Sequence, residues 1–237
     1  MVGLSIGIVV VVSGCGQVIS GKAEPVAPSP DLCDAVVMFV LDVSLSMEAT
    51  DVAPNRLAVA KQAMKEYAQG LAPGTHLGLA TFAGTASVQT TPTTNRTAFT
   101  TALDSVRLAE RTATGEGIFT GLTAIDSVDR VAPITGPRRI ILISDGKQTI
   151  PLDLDEPRGA YSAAREANTV HTPVSAISLG TADGVVEIPD HTGRARVRVP
   201  ADPDSLREIA RLSGGTFHTA ATLPQLTSAL TDLSCRT

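Results

Sequence analysis

The chain has 237 residues, of which 43% are hydrophobic and 18% charged. This length and composition are typical of one globular domain with short extensions. The formal net charge is -5, which argues against a nucleic-acid-binding protein, because such proteins present a basic face to the phosphate backbone.

The first residues have the pattern of an export signal. Leu4 to Val12 is an apolar run of signal-peptide length, too short to cross a bilayer as a helix. The following Val12-Ser13-Gly14-Cys15 resembles a bacterial lipobox, whose cysteine is lipidated after cleavage. We therefore predict a signal peptide over 1–14 and a lipid anchor at Cys15 on the extracytoplasmic face of the cell membrane. Because no Lys or Arg precedes the apolar run, a secreted protein with an unlipidated Cys15 is the alternative.

A tether and a cysteine pair come next. Residues 15–32 are rich in Pro, Ser and Gly, which predicts a flexible tether ahead of a domain spanning 33–237. Cys33 and Cys235 lie near the two ends of that domain. Outside the cytoplasm an even pair of cysteines indicates a disulfide bond, and two unpaired buried thiols are the alternative.

Strand and helix patterns alternate along the rest of the chain. Ala35 to Leu41 and Arg138 to Ser144 are continuous apolar runs, which predict central strands buried on both faces. Other strands are predicted at 76–82, 86–90, 173–179 and 215–218, and helices at 54–70, 96–108, 115–130, 159–168, 202–212 and 223–233. Residues 181–200 predict a hairpin outside the main sheet.

This alternation predicts the fold class. Strands that alternate with helices form an α/β fold with a doubly wound, mostly parallel central sheet flanked by helices on both faces. The short strand at 86–90 is predicted to be an antiparallel edge strand.

Each of the two buried strands is followed by an aspartate. Asp42-Val43-Ser44-Leu45-Ser46 follows the first strand, and Asp145-Gly146 follows the other. In open α/β sheets ligands bind at the carboxyl ends of the strands, so two carboxylates and two hydroxyls are expected in one pocket. These donors suit a hard cation such as Mg²⁺ or Mn²⁺. Thr112 or Thr114, in the loop before a helix, supplies a further hydroxyl and leaves one coordination position for an outside carboxylate.

These residues together resemble the metal-ion-dependent adhesion site of von Willebrand factor A and integrin I domains. The resemblance implies five metal ligands, Asp42, Ser44, Ser46, Thr112 and Asp145, with Thr114 as the alternative to Thr112. It covers about residues 34–233 and is strongest to bacterial aerotolerance-operon-like membrane proteins and their actinobacterial relatives. The stretches that carry it are LDVSLSMEATDVAPNR, TATGEGIFTGL, ILISDGKQT and LSGGTF. Those relatives usually have transmembrane helices beside the domain, where this chain is expected to use a lipid anchor.

The resemblance implies a binding module rather than an enzyme, with a metal ion that engages an acidic group of a partner protein. One alternative is a structural scaffold of a cell-envelope complex whose metal site is dispensable. Another is a Mg²⁺-dependent hydrolase or phosphotransferase, but Ser44 occupies the position where such enzymes need a second carboxylate. Nucleotide binding is not predicted, since Gly146-Lys147 lacks the upstream glycine of a phosphate-binding loop. Glu48 and Asp51 follow the DxSxS segment and are predicted to be solvated charges, with a role at the rim of the ligand site as the alternative.

Overall fold

The computed structural model describes residues 35–190 and 193–234. The predicted signal peptide and tether, together with Cys15, Cys33 and Cys235, lie outside the described residues, so the lipid anchor and the disulfide stay predictions. None of the described helices is both long enough and apolar enough to cross a membrane.

Six strands form one sheet in the order β3-β2-β1-β4-β5-β8, in which β3 is antiparallel to β2 and the other neighbours are parallel. These strands are β1 (Val36–Asp42), β2 (His76–Phe82), β3 (Ala86–Thr93), β4 (Arg138–Ser144), β5 (Val174–Leu179) and β8 (Phe217–Ala220). A separate antiparallel pair is formed by β6 (Val185–Asp190) and β7 (Gly193–Arg198). The predicted α/β fold, with its antiparallel edge strand and its separate hairpin, is confirmed.

Six helices cover the two faces of the sheet in the described part of the chain. They are α1 (Arg56–Gly70), α2 (Arg96–Ser105), α3 (Thr114–Val131), α4 (Ala160–Thr169), α5 (Pro203–Ser213) and α6 (Leu223–Asp232). Four begin at a side chain that accepts a hydrogen bond from the backbone N–H three residues later, namely Asn55, Asn95, Asp202 and Thr222. A 3-10 helix that the sequence did not predict, Leu45–Glu48, follows β1.

The hydrophobic core is divided by the sheet into two layers. Helices α1, α2 and α6 pack on one face, and α3, α4 and α5 pack on the other. Strand β1 is buried along its whole length, with Phe39 in the first layer and Met38 and Val40 in the second. Because successive side chains of a strand point to opposite faces, a strand covered on both sides is apolar throughout. This explains the uninterrupted apolar run from which the strand was predicted.

The winding of the chain determines where a ligand can bind. From β1 the chain continues to β2 and β3 on one side, and then to β4, β5 and β8 on the other. The winding direction therefore changes between β1 and β4, and the loops that leave their carboxyl ends diverge to form a crevice. Asp42 is the last residue of β1, and Ser144 is the last residue of β4.

Close packing of α3 on the sheet depends on Gly117. A Cβ atom at this position would lie 2.7 Å from Phe82 Cδ1 and 3.0 Å from Val40 Cγ1. We expect Gly117→Val to lower the free energy of unfolding by about 1–3 kcal/mol through overpacking, measured by urea denaturation. Gly70→Ala is the control, since nothing lies within 4 Å of an added Cβ there and alanine favours helix by about 1 kcal/mol. An equal loss of stability in both variants would contradict the packing argument.

Candidate metal centre

A cleft of about 230 Å³ opens at the carboxyl ends of β1 and β4. Four of the five predicted ligands line it, namely Ser44, Ser46, Thr112 and Asp145. The fifth, Asp42, is fully buried and its Oδ1 accepts a hydrogen bond of 2.8 Å from the backbone N–H of Ser44. The structure thus brings the five predicted ligands close together.

The Asp42 carboxylate is held from both strands. Its Oδ2 accepts a hydrogen bond of 2.6 Å from the Ser144 hydroxyl, which itself accepts one of 2.9 Å from the backbone N–H of Gly146. These bonds connect the end of β1 to the end of β4. The sequence analysis did not identify Ser144, although a hydroxyl at the end of an apolar strand was the available signal.

The two serines of the DxSxS loop present their hydroxyls to the same point. Ser44 Oγ and Ser46 Oγ lie 2.8 Å apart. The 3-10 helix produces this approach, because the N–H of Met47 donates to the carbonyl of Ser44 at 2.9 Å and the fully buried Met47 side chain anchors the turn in the core. Ser44, Leu45 and Ser46 thus all line the cleft, while the side chain of Met47 faces the core.

The loop that carries Thr112 is hydrogen-bonded to the loop after β4. The backbone N–H of Thr112 donates to Thr149 Oγ1 at 2.8 Å, and the N–H of Thr149 donates to the carbonyl of Thr112 at 2.8 Å. Thr149 is a second residue that the sequence analysis did not identify. Thr114, the alternative ligand, opens α3, and its buried hydroxyl has no hydrogen-bond partner among the described residues.

A buried arginine connects the DxSxS loop after β1 to the loop after β4. Arg56 is fully buried, and its Nη1 donates to Asp145 Oδ2 at 2.8 Å. Its Nε and Nη2 donate to the two carboxylate oxygens of Asp51 at 2.9 and 2.7 Å. The prediction that Asp51 is solvated is therefore wrong, because this ion pair and the N–H and hydroxyl of Thr181 hold its carboxylate in the interior. Glu48 is exposed, as predicted.

The guanidinium of Arg56 also holds the base of the β6–β7 hairpin against the site. Its Nη2 donates to the carbonyl of Val199 at 3.0 Å. Gly180 and Gly184 make room for it, since a Cβ at either position would overlap the guanidinium group. Gly180 also has a φ of 135°, which L side chains rarely adopt. The hairpin, the DxSxS loop and the loop after β4 thus meet at one side chain.

Negative charge exceeds positive charge in the interior of the site. Burial raises the pKa of Asp42 to about 7, and the neighbouring Asp145 carboxylate acts in the same direction, while hydrogen bonds from Ser144 and Ser44 oppose the shift. Burial also raises the pKa of Asp145, against the opposing effects of the Ser46 hydroxyl and the Arg56 guanidinium. Arg56 contacts Asp51 and Asp145 but not Asp42. A bound cation would offset this excess of negative charge.

The donors fit a hard divalent cation. Asp145 Oδ1 is buried and accepts no hydrogen bond from the described residues, which leaves one carboxylate oxygen for a ligand. Nowhere among residues 35–190 and 193–234 do three His, Cys, Asp or Glu side chains gather closely enough to hold a metal ion. A metal in this cleft would therefore be bound by two carboxylates and several hydroxyls, the oxygen-only set that Mg²⁺ and Mn²⁺ accept.

Comparison with known proteins supports the same family. The family model for the von Willebrand factor type A domain matches residues 37–148. The chain is 57% identical over 205 residues to a UPF0353 protein of Nocardia farcinica, a match that covers 82% of this chain and 60% of that protein. It is 52% identical over 204 residues to a UPF0353 protein of Mycolicibacterium vanbaalenii, with 84% and 59% covered. The chain thus spans about 60% of the length of these curated relatives.

Solved structures show the same fold. The protein BatB of Bacteroides thetaiotaomicron superposes with a TM-score of 0.69 at 24% identity, covering 84% of this chain and 98% of that one. An aerotolerance-related membrane protein of Bacteroides fragilis gives a TM-score of 0.70 at 24% identity, with 83% and 96% covered. The family match, the close relatives and the shared fold together confirm the resemblance noted in the sequence: this chain carries a domain of the von Willebrand factor type A family.

Proposed function

We propose that this domain is a protein-binding module that uses a divalent cation, Mg²⁺ or Mn²⁺, to engage a carboxylate of a partner protein. The proposed metal ligands are Asp42, Ser44, Ser46, Thr112 and Asp145. The observation that carries the proposal is the clustering of these oxygen donors in one cleft, where Asp145 keeps a buried oxygen without a hydrogen-bond donor.

The donor types explain why an outside carboxylate would complete the site. Hydroxyl groups are neutral donors, so Ser44, Ser46 and Thr112 would leave the charge of the metal unchanged. The ion pair between Asp145 and Arg56 also reduces the negative charge available to the metal. A cation held in this way stays electron-poor and favours an anionic ligand at its open position. A partner's aspartate or glutamate supplies that anion.

The geometry favours binding over nucleophilic catalysis. An aspartyl nucleophile must reach its substrate, whereas Asp42 is fully buried and both of its oxygens accept hydrogen bonds. The residue two positions later, where an aspartyl phosphotransferase needs an acid–base carboxylate, is Ser44. We therefore propose a non-enzymatic role.

The setting of the module is a proposal that rests on sequence alone. Lipidation of Cys15 would hold the domain on the extracytoplasmic face of the cell membrane, and a disulfide between Cys33 and Cys235 would join the two ends of the domain. A site of this kind, held on a tether, would be accessible to envelope proteins.

Isothermal titration calorimetry of Mg²⁺ and Mn²⁺ tests the metal site. We expect saturable binding to one site in the wild-type protein and a loss of at least about tenfold in affinity for Asp42→Ala, because a charged ligand is removed. Asp126→Ala is the matched control, since Asp126 is an exposed carboxylate on α3 that pairs with Arg130. Unchanged metal binding in Asp42→Ala would overturn the assignment.

The same variants distinguish a metal-dependent protein-binding module from a scaffold that binds without metal. Partners captured from envelope extract should be lost when EDTA replaces Mg²⁺, and should also be lost with Asp42→Ala. A scaffold that binds through its helical faces would keep the same partners under both conditions.

A further inference from the structure

The rim of the cleft is cationic, although the chain as a whole has a net charge of -5. Three cations line the cleft, namely Arg111, Lys147 and Arg198, and the acid among its lining residues is the candidate ligand Asp145. The three cations are exposed. Among the described residues, Arg198 has a carboxylate only at 3.9 Å, that of Asp183, whose side chain is 94% exposed. The rim charges are therefore available to a ligand.

The three cations come from three different segments of the chain. Arg111 directly precedes Thr112, Lys147 lies two residues after Asp145, and Arg198 is the last residue of β7. The hairpin that carries Arg198 is fixed beside the site by the hydrogen bond from Arg56 to the Val199 carbonyl. The cations are thus placed around the cleft by the fold and not by one charged stretch of sequence.

The row of positive charge continues along the hairpin. Side chains two residues apart on a strand share a face, so Arg194 and Arg196 lie on the same face of β7 as Arg198. Arg194 forms an ion pair with Glu187 across the hairpin at 3.3 Å, so the positive charge of Arg194 is partly neutralised. The end of the row nearest the cleft, at Arg198, is therefore more strongly cationic than the end at Arg194.

Charges of this sign oppose the binding of a divalent cation on its own. Like charges repel one another, and a divalent ion doubles the repulsion that a monovalent ion would experience. A single partner carboxylate would occupy the open position of the metal but would leave the rim cations unpaired. A segment with several carboxylates would supply a ligand to the metal and also neutralise the rim cations.

We infer that the cleft binds an acidic peptide segment that carries several carboxylates, one on the metal and the others on Arg111, Lys147 and Arg198. This inference rests on the proposed metal-dependent binding function and adds the chemical class of its partner. The rim then determines specificity, because it distinguishes a cluster of acidic residues from an isolated aspartate or glutamate. It also couples the two ligands, since an acidic segment removes the repulsion that weakens metal binding.

The test compares two fluorescent Gly-Ser peptides in Mg²⁺ by anisotropy, one with a single glutamate and one with four consecutive glutamates. We expect the four-glutamate peptide to bind the wild-type protein at least about tenfold more tightly at low salt, and this preference to weaken as salt screens the rim. The triple variant Arg111→Gln, Lys147→Gln and Arg198→Gln should lose the preference. It should bind the single-glutamate peptide to within about twofold of wild type, because an exposed ion pair contributes little. Arg130→Gln, which removes a cation that is 77% exposed on α3, should leave the preference intact.

Metal binding separates this inference from the function on which it rests. Calorimetry should show Mg²⁺ binding to the triple variant as tightly as to wild type or more tightly, since the rim repels the metal. If Asp42→Ala binds Mg²⁺ as wild type does, the proposed function fails. If Mg²⁺ binds normally but the triple variant keeps the tenfold preference, or neither peptide binds, the inference is overturned and the metal site stands. Binding of an oligothymidylate as tightly as the four-glutamate peptide would also overturn it, by identifying a site for phosphate.

Discussion

Replacing Arg56 with methionine is expected to lower the free energy of unfolding by about 3–5 kcal/mol. The methionine retains apolar volume but leaves the carboxylates of Asp51 and Asp145 without the cation that contacts both of them. Both carboxylates are almost inaccessible to water, with side-chain exposures of 8% and 2%. Breaking a buried ion pair from one side is strongly destabilising, because the remaining charge is neither solvated nor paired.

Urea denaturation at pH 7 in EDTA measures the effect. Arg56→Lys should give an intermediate loss, since one ammonium group cannot reproduce the fork with which the guanidinium contacts both carboxylates. Arg96→Met is the matched control: the Arg96 guanidinium donates to the carbonyls of Thr75 and Ala72 at 2.8 and 2.9 Å, so its removal should cost about 1–3 kcal/mol at most. If Arg56→Met were no more destabilising than Arg96→Met, the carboxylates would not depend on Arg56.

The same arginine shows what the sequence could not predict. Its contact with Asp145 joins residues 89 positions apart, and no periodic pattern reports a pair at that separation. A signal was nevertheless present, because Arg56 is the first residue of α1, where the helix dipole disfavours a cation. An arginine at that end of a helix needs a compensating anion, and here it has Asp51 and Asp145. Ser144 and Thr149 were missed for the same reason, since their partners lie on other strands and loops.

The bounds of two strands were predicted correctly, whereas two other strands and one helix differ from the prediction. Strand β3 ends at Thr93 instead of residue 90, and β8 begins two residues later than predicted. The predicted strands His76–Phe82 and Arg138–Ser144 have the same bounds in the structure, because each is a continuous run of residues buried in the sheet. The helix predicted over 96–108 ends instead at Ser105. Beyond it the chain is pulled into extended backbone, where Ala109 forms a bridge with Ser44 and its N–H donates to the Val43 carbonyl at 2.8 Å. That long-range pairing replaces the last helical turn, and local propensity does not contain it.

The five predicted ligands could be identified before their geometry because each belongs to a segment whose position the fold determines. Asp42 ends β1 and Asp145 directly follows the neighbouring parallel strand β4, and strand ends at a change of winding meet in one crevice. What the sequence could not provide was the balance of charge there. Two carboxylates, one arginine shared with Asp51 and three rim cations set the charge of the cleft, and we expect this balance to determine which ligands it can bind.

Without metal, the protein is expected to lose stability as the pH rises from about 4 to 7. The pKa of Asp42 is about 7 in the folded protein, against its ordinary value of 3.8. The folded state therefore keeps a proton that the unfolded state releases, so this contribution is fully present below about 4 and lost above about 7. At 1.36 kcal/mol for each pH unit, the loss is about 4 kcal/mol at most. Asp145, Ser144 and Ser44 are the groups that act on this carboxyl group.

Urea midpoints are measured across this pH range in EDTA for wild type and Asp42→Asn. The comparison separates the contribution of Asp42 to stability from the contributions of other carboxyl groups. Asp51 and Glu116 have lowered pKa values and give the opposite slope at acid pH, but they are common to both proteins. Asp42→Asn should show a smaller decline between pH 4 and 7, because the raised pKa of Asp145 is retained in this variant. Parallel curves for the two proteins would contradict the assignment of the decline to Asp42.

Mg²⁺ should reverse the decline in wild type and leave Asp42→Asn unchanged. The metal would bind the ionised carboxylate and would have to displace the proton, so its stabilising effect should be small at pH 4 and largest at pH 8. The proton and the metal then act as alternative ligands of one buried carboxylate. A variant that is stable without metal but no longer responds to it would show that Asp42 reduces the stability of the metal-free fold in return for the ability to bind a cation.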